Sequence, residues 1–202
     1  MKLNIKRTIL VGFAFMSISA FWQLYDNVVP LILKNTFGMK DGAAGIIMAL
    51  DNVLALFLLP FFGMLSDKTK TKFGRRAPYI VLGTLSAVVL MNLLPFADKT
   101  DNFVLFIVAL AFLLIAMGTY RSPAVALMPD VTPKPLRSKG NAVINLMGAV
   151  GAIFTLVATR FLVTKRDVVQ EDGSILVMDN YTLLYIAVAT LMVVAVVVLL
   201  FK

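Results

Sequence analysis

The sequence predicts an all-α membrane protein, a six-helix transmembrane bundle. Three observations carry that prediction. The 202 residues are 60% hydrophobic and 15% charged, with a mean hydropathy of +0.90, whereas soluble domains are about 45–50% apolar and about 25% charged. Six apolar runs each approach the roughly 20 residues that cross about 30 Å of hydrocarbon. The charged residues fall between those runs, and their sign bias alternates from loop to loop.

The first span is expected over about residues 9–33. Lys2, Lys6 and Arg7 precede it and imitate a signal peptide. The run from Ile9 to Leu33 is longer than the roughly 7–15 apolar residues of such a peptide, so it reads as an uncleaved span. The second span is expected over about residues 43–65 and the third over about 79–96. Between them lies Asp67-Lys-Thr-Lys-Thr-Lys-Phe-Gly74-Arg75-Arg76, with five cations and one carboxylate. The fourth, fifth and sixth spans are expected over about 103–128, 142–163 and 181–201.

One side then collects Lys2, Lys6, Arg7, the Lys68-to-Arg76 loop, Lys134, Arg137, Lys139 and Lys202. The other holds Lys34, Lys40, Asp98, Lys99, Asp101 and a net acidic segment from Thr164 to Asn180. The excess of Lys and Arg places the first set, and both termini, in the cytoplasm. The expectation is a multi-pass protein of the cell (plasma) membrane. In the long loop before the sixth span, Asp172-Gly173 between β-prone runs reads as a hairpin turn. A disordered loop is the alternative.

With no cysteine and no histidine, the chain lacks thiolate chemistry, the commonest metal ligand and the commonest general base. No enzyme activity and no cofactor are expected. The net charge of +8 follows from the side bias of the loops and does not require nucleic acid.

An ionisable side chain inside the bilayer is costly and calls for a reason. Five stand out: Asp26, Asp51, Arg121, Asp130 and Arg160. Helical spacing puts Ser19, Gln23 and Asp26 on one stripe, flanked by Trp22 and Asn27. Carboxylate, amide, hydroxyl and indole together suit a sugar or another polar solute. An aromatic belt at a helix end is the competing reading. Asp51, next to Asn52, falls at a depth similar to Asp26. Either acid could take up a proton or help hold Na⁺ with carbonyl oxygens; a neutral acid bonding a neighbouring helix is the alternative. Asn145, Gly148, Ala152, Thr155 and Thr159 form a stripe on the fifth span, for close packing or for lining a path. Arg160 could snorkel or neutralise Asp26 or Asp51. Arg121 and Asp130 bracket the inner end of the fourth span and read as a gate or loop anchor, with Asp130 near Lys134, Arg137 and Lys139.

Gly63-x-x-x-Asp67, followed by Gly74-Arg75-Arg76, resembles the loop motif between the second and third helices of major facilitator superfamily transporters. The run Lys72-Phe73-Gly74-Arg75-Arg76-x-Pro78-Tyr79-Ile80 looks like that of the glycoside-pentoside-hexuronide cation symporters and the sucrose-transporter-like proteins. Arg121-Ser-Pro123-Ala-Val-Ala126-Leu127-Met-Pro-Asp130 is similar to the fourth-helix ending of the same branches. The resemblance implies twelve helices in two six-helix bundles, of which this chain would be the N-terminal half. Substrate would bind between the bundles, and Ser19, Trp22, Gln23, Asp26, Asn52 and Asn145 are the candidate ligands on this side. It also implies a cytoplasmic latch: Gly63 permits close approach, Asp67 contacts the second bundle, and Arg75 and Arg76 hold the loop. One departure is notable. Plant sucrose transporters carry an acid deeper in the fourth helix, where this chain reads Ala-Phe-Leu-Leu-Ile-Ala-Met. Coupling would therefore shift to Asp26 or Asp51.

The expected function is thus half of a cation-coupled (H⁺ or Na⁺) sugar or glycoside symporter using alternating access. Its partners would be a small-molecule substrate, the lipid bilayer, and either a second six-helix half or a second copy. A fragment and a truncated gene product are equally compatible with the length. Two other functions fit the same sequence: a transporter for an organic acid, drug or peptide, and a non-transporting membrane scaffold.

Overall fold

The computed structural model describes residues 3–72, 74–169 and 174–200. Among them, six helices are long and apolar enough to cross a membrane: α1 Ile5–Asn35, α2 Asp41–Lys68, α3 Ala77–Lys99, α4 Phe103–Val131, α5 Arg137–Leu162 and α6 Thr182–Leu200. Each coincides with one expected span to within a few residues. Two-stranded β1 Thr164–Val169 and β2 Ile175–Asn180 form the expected hairpin, antiparallel, with Thr164 opposite Asn180. The Asp172-Gly173 turn lies outside the described residues, as do Lys2 and Lys202.

Local chemistry sets the helix ends. Asn4 accepts from the Arg7 amide at 3.2 Å, and Asn102 accepts from the Leu105 amide at 2.9 Å, each satisfying a first-turn donor that has no helical partner. Gly74 (φ 101°) supplies a left-handed backbone turn before α3. Its carbonyl accepts from Thr71 Oγ1 at 2.6 Å.

Helix α1 is the centre of the bundle. It packs against α5, α6 and α4, while α3 joins α4 and α6 on the far side. Small residues set the α1–α5 spacing. A side chain on Gly151 would land on the Met16 carbonyl, and one on Gly148 would meet Ser19 Oγ at 2.8 Å. Thr155 Oγ1 donates to the Ala20 carbonyl at 3.0 Å across the same seam. Helices α1 and α4 are also tied by polar bonds. Tyr120 is buried and donates to the Ala14 carbonyl at 3.0 Å, and its hydroxyl lies against Ser17 Oγ. Helix α2 contributes little to the core: only Ala44 and Ser66 are buried. It leans on α4, where Ser122 Oγ donates to the Leu59 carbonyl at 2.6 Å beside Gly63.

The chain order makes the two ends of the bundle chemically different. The α2–α3 and α4–α5 connections share one end with the start of α1. The α1–α2 and α3–α4 connections share the other end with the hairpin.

Candidate functional site

On the mostly buried α1, the part-open and open positions of the middle turns are Phe15, Ser19, Trp22, Gln23, Asp26, Asn27 and Pro30. They recur at three- and four-residue spacing, so they form one stripe. The expected polar stripe is therefore the open face of the helix. Open positions on α4 and α6 are instead Val104, Val108, Phe112, Leu183, Ile186 and Val194, the chemistry of a lipid-facing surface. Within the stripe, Asn27 Nδ2 donates to the Gln23 carbonyl at 2.6 Å. Asp26 is exposed and lies within electrostatic reach of Asp51 on α2.

Beside the stripe is a small cavity of about 20 Å³, lined by Trp22, Asp51, Leu54, Leu58, Gly118 and Arg121 among others. That volume is room for one water molecule. Trp22 is fixed edge-on by Phe21 and Tyr25, each with ring centroids 5.3 Å away. The Arg121 guanidinium carbon sits over the indole, 5.3 Å from its centroid. Asp51 Oδ1 accepts from the Asn52 amide at 2.5 Å and from Asn52 Nδ2 at 2.8 Å. Asn52 itself is exposed and serves Asp51.

Arg121 is thus displaced from its expected place. It belongs with Trp22 and Asp51, not with Asp130 at the helix end. The reason is that α4 continues past Pro123 and Pro129 to Val131. Ten further residues at about 1.5 Å each lift Arg121 roughly 15 Å from that end. Arg160 is exposed on α5 and pairs with neither Asp26 nor Asp51 among the described residues. On α5, Gly148 and Thr155 turn into the α1 contact, while Asn145 is exposed. Within that stripe, Gly148 and Thr155 therefore serve helix packing, and Ala152 and Thr159 are half-buried.

The basic end holds the motif residues. Arg76, 7% exposed, bridges two acids: Nε to Asp130 Oδ2 at 2.6 Å and Nη2 to Asp67 Oδ1 at 2.9 Å. Arg75 Nη2 adds a longer contact of 3.8 Å to Asp130. The expectation that Asp130 joins Lys134, Arg137 and Lys139 is corrected here. Asp130 pairs with the α2–α3 loop, and Arg137 instead donates to the Pro129 carbonyl at 3.2 Å. The planar guanidinium serves the two carboxylates with separate N–H groups held in a fixed fork.

The hairpin end carries a cluster that the sequence reading missed. Asp98 is 2% exposed. Its Oδ1 pairs with Arg166 Nη2 of β1 at 3.0 Å and accepts from Thr36 Oγ1 at 2.5 Å. The only sequence signal was an acid ending an apolar run, with its partner 68 positions away.

Comparisons with known proteins agree with this architecture. A sucrose transport protein of Arabidopsis thaliana is 28% identical over 151 residues, 65% of this chain and 25% of that protein. A major facilitator transporter of Aspergillus fumigatus is 28% identical over 153 residues, 73% of this chain and 27% of that one. The human proton-associated sugar transporter A is 24% identical over 139 residues, 63% and 18% respectively. The matched stretches are thus about a quarter or less of the length of these relatives. Residues 11–202, nearly the whole chain, match the profile of the Major Facilitator Superfamily, and with six membrane-length helices carrying the loop motif, the chain belongs to that family.

Proposed function

We propose that this chain is the N-terminal bundle of a cation-coupled sugar symporter. It would lie in the plasma membrane with its basic end and both termini in the cytoplasm, as the bias of Lys and Arg suggests. It would work by rocking against a second six-helix bundle or a second copy. The observation that carries the reading is the open stripe on α1. Ser19, Trp22, Gln23 and Asp26 face out of an otherwise apolar bundle, which suits a wet path and not lipid. The relatives named as sugar transporters support the substrate class. Asp26 and Asp51 are the residues for the coupling H⁺ or Na⁺. Asp67, Arg75, Arg76 and Asp130 form the latch on the cytoplasmic side.

The experiment is uptake of labelled disaccharides by the intact transporter in proteoliposomes under an imposed H⁺ or Na⁺ gradient. Asp51→Asn should lower gradient-driven uptake at least about tenfold while sugar exchange without a gradient persists. Undiminished gradient-driven uptake removes Asp51 from coupling. A second reading is favoured by one observation: the Arg121 guanidinium lines the cavity and has no ion-pair partner among the described residues, which suits an anionic solute. Competition of uptake by organic acids instead of disaccharides would select that reading.

A further inference from the structure

We propose that Arg121 is a specificity-determining residue that occupies the face of Trp22 until a neutral sugar displaces it. This rests on the sugar reading above and adds to it the residue that must move. Arg121 makes no hydrogen bond and no ion pair among the described residues. Its contact with the indole answers its charge but none of its five N–H donors. The guanidinium nitrogens stay open to a ligand, and hydroxyl oxygens would supply the acceptors they lack. Across the same cavity, Asp51 accepts from its neighbour Asn52 and from no other donor among the described residues. It has lone pairs left for a hydroxyl donor. The buried Trp22 Nε1 is also without a partner.

These groups fit one chemical class. A sugar ring offers a C–H face to the indole. Of two adjacent hydroxyls, one can accept from the guanidinium while the other donates to the carboxylate. Arg121 and Asp51 line the same cavity with opposite charges and no ion pair between them, so a neutral polyol can use both while an acidic sugar also meets Asp51. The cavity as it stands has room for a water molecule, not a sugar. Trp22 is held by Phe21 and Tyr25, so the Arg121 side chain, long and unbonded, is the part free to swing away.

Trp22 is the only tryptophan in these 202 residues, which gives a direct readout. The test uses the intact transporter in detergent, with the emission of Trp22→Phe subtracted as background. Binding of labelled sucrose, maltose and a glucuronide is followed by equilibrium dialysis in parallel. A saturable change in Trp22 emission with the dialysis midpoint is expected for a neutral sugar. Arg121→Gln should alter the emission without sugar, abolish the sugar-dependent change and weaken binding at least about tenfold. Arg121→Lys keeps the charge without the planar fork, and should fall between; it stands in if the glutamine variant does not fold. Sugar binding with unchanged Trp22 emission, or with full affinity in both variants, overturns the role of Arg121 and leaves the sugar reading standing. Binding of the glucuronide alone also overturns it. Failure of all three ligands to bind overturns both.

Discussion

Arg76 Nε donates to Asp130 Oδ2 across 2.6 Å, fastening the loop between α2 and α3 to the last turn of α4. The same guanidinium reaches Asp67 at 2.9 Å, so one side chain joins three segments of the basic end. Asp130 has the shorter bond and the less exposed side chain, 31% against 56% for Asp67. Arg76→Ala should therefore cost about 2–4 kcal/mol, because Asp67 loses its partner and Asp130 keeps only the 3.8 Å contact to Arg75. Asp130→Asn should cost more than Asp67→Asn, and Arg76→Lys should recover only part of the loss. Thermal unfolding of the purified protein in detergent measures all four. Equal effects of the two asparagine variants would contradict the geometry.

The α1–α5 seam makes a sharper distinction between two glycines. A methyl group on Gly151 meets the Met16 carbonyl, which is backbone and cannot turn aside. On Gly148 it meets Ser19 Oγ at 2.8 Å, which is the movable end of a side chain. Gly151→Ala should cost about 3 kcal/mol or more, or block folding, since the two helices must separate. Gly148→Ala should cost about 1 kcal/mol, and Ser19→Ala in the same chain should restore most of it. The measurement is the midpoint of thermal or denaturant unfolding for the three variants. A Gly148→Ala defect that Ser19→Ala does not relieve would show that Ser19 is not the obstacle.

The fold was legible because hydrophobic length is a strong signal. Each run from Ile9 to Leu33, Phe103 to Met128 and so on is too apolar for any other solvent. The stripe Ser19, Gln23, Asp26 was legible because helical periodicity alone places those residues together. What was not legible involves partners far apart in sequence or depth along a helix. Arg121 was placed near the membrane surface because Pro123 and Pro129 look like a helix ending. In a long membrane helix such prolines are tolerated, since neighbouring groups satisfy the freed carbonyls, and α4 runs on. Asp130 was given to Lys134, Arg137 and Lys139 because they are close in sequence. The guanidinium that pairs with it arrives from 54 residues earlier. Neither Tyr120 against Ser17 nor Asp98 against Arg166 leaves any trace in spacing.

Tyr120 offers a local test of how α4 is held to α1. Its hydroxyl donates to the Ala14 carbonyl at 3.0 Å and lies against Ser17 Oγ, all of it buried. Tyr120→Phe keeps the ring and removes only the bonds. A loss of about 1–2 kcal/mol is expected. Ser17→Ala should cost less, because Tyr120 keeps its bond to Ala14. Unfolding midpoints of the two variants decide, and a larger effect at Ser17 would reverse the assignment.

The hairpin end rests on a buried ion pair, and the sign of each substitution there follows from what it leaves behind. The Asp98 side chain is 1% exposed, and Arg166 Nη2 lies 3.0 Å from its Oδ1. The same Nη2 also donates to the Asp98 carbonyl at 3.1 Å. Arg166→Met strands a carboxylate away from water, so a cost of about 3–5 kcal/mol is expected. Adding Asp98→Asn removes the stranded charge. The double variant should therefore be more stable than Arg166→Met alone, with a coupling of about 2 kcal/mol in a double-mutant cycle. Thr36→Val removes one donor to a carboxylate still paired with arginine, and should cost only about 1–2 kcal/mol. Because Arg166 sits on β1, loss of the pair should also free the hairpin from the bundle. Limited proteolysis between residues 164 and 180 should then speed up in Arg166→Met and slow again in the double variant. If Arg166→Met melts like the unaltered protein and its hairpin is cut no faster, the strand is held by its pairing with β2 and by apolar contact, and the ion pair contributes nothing to its docking.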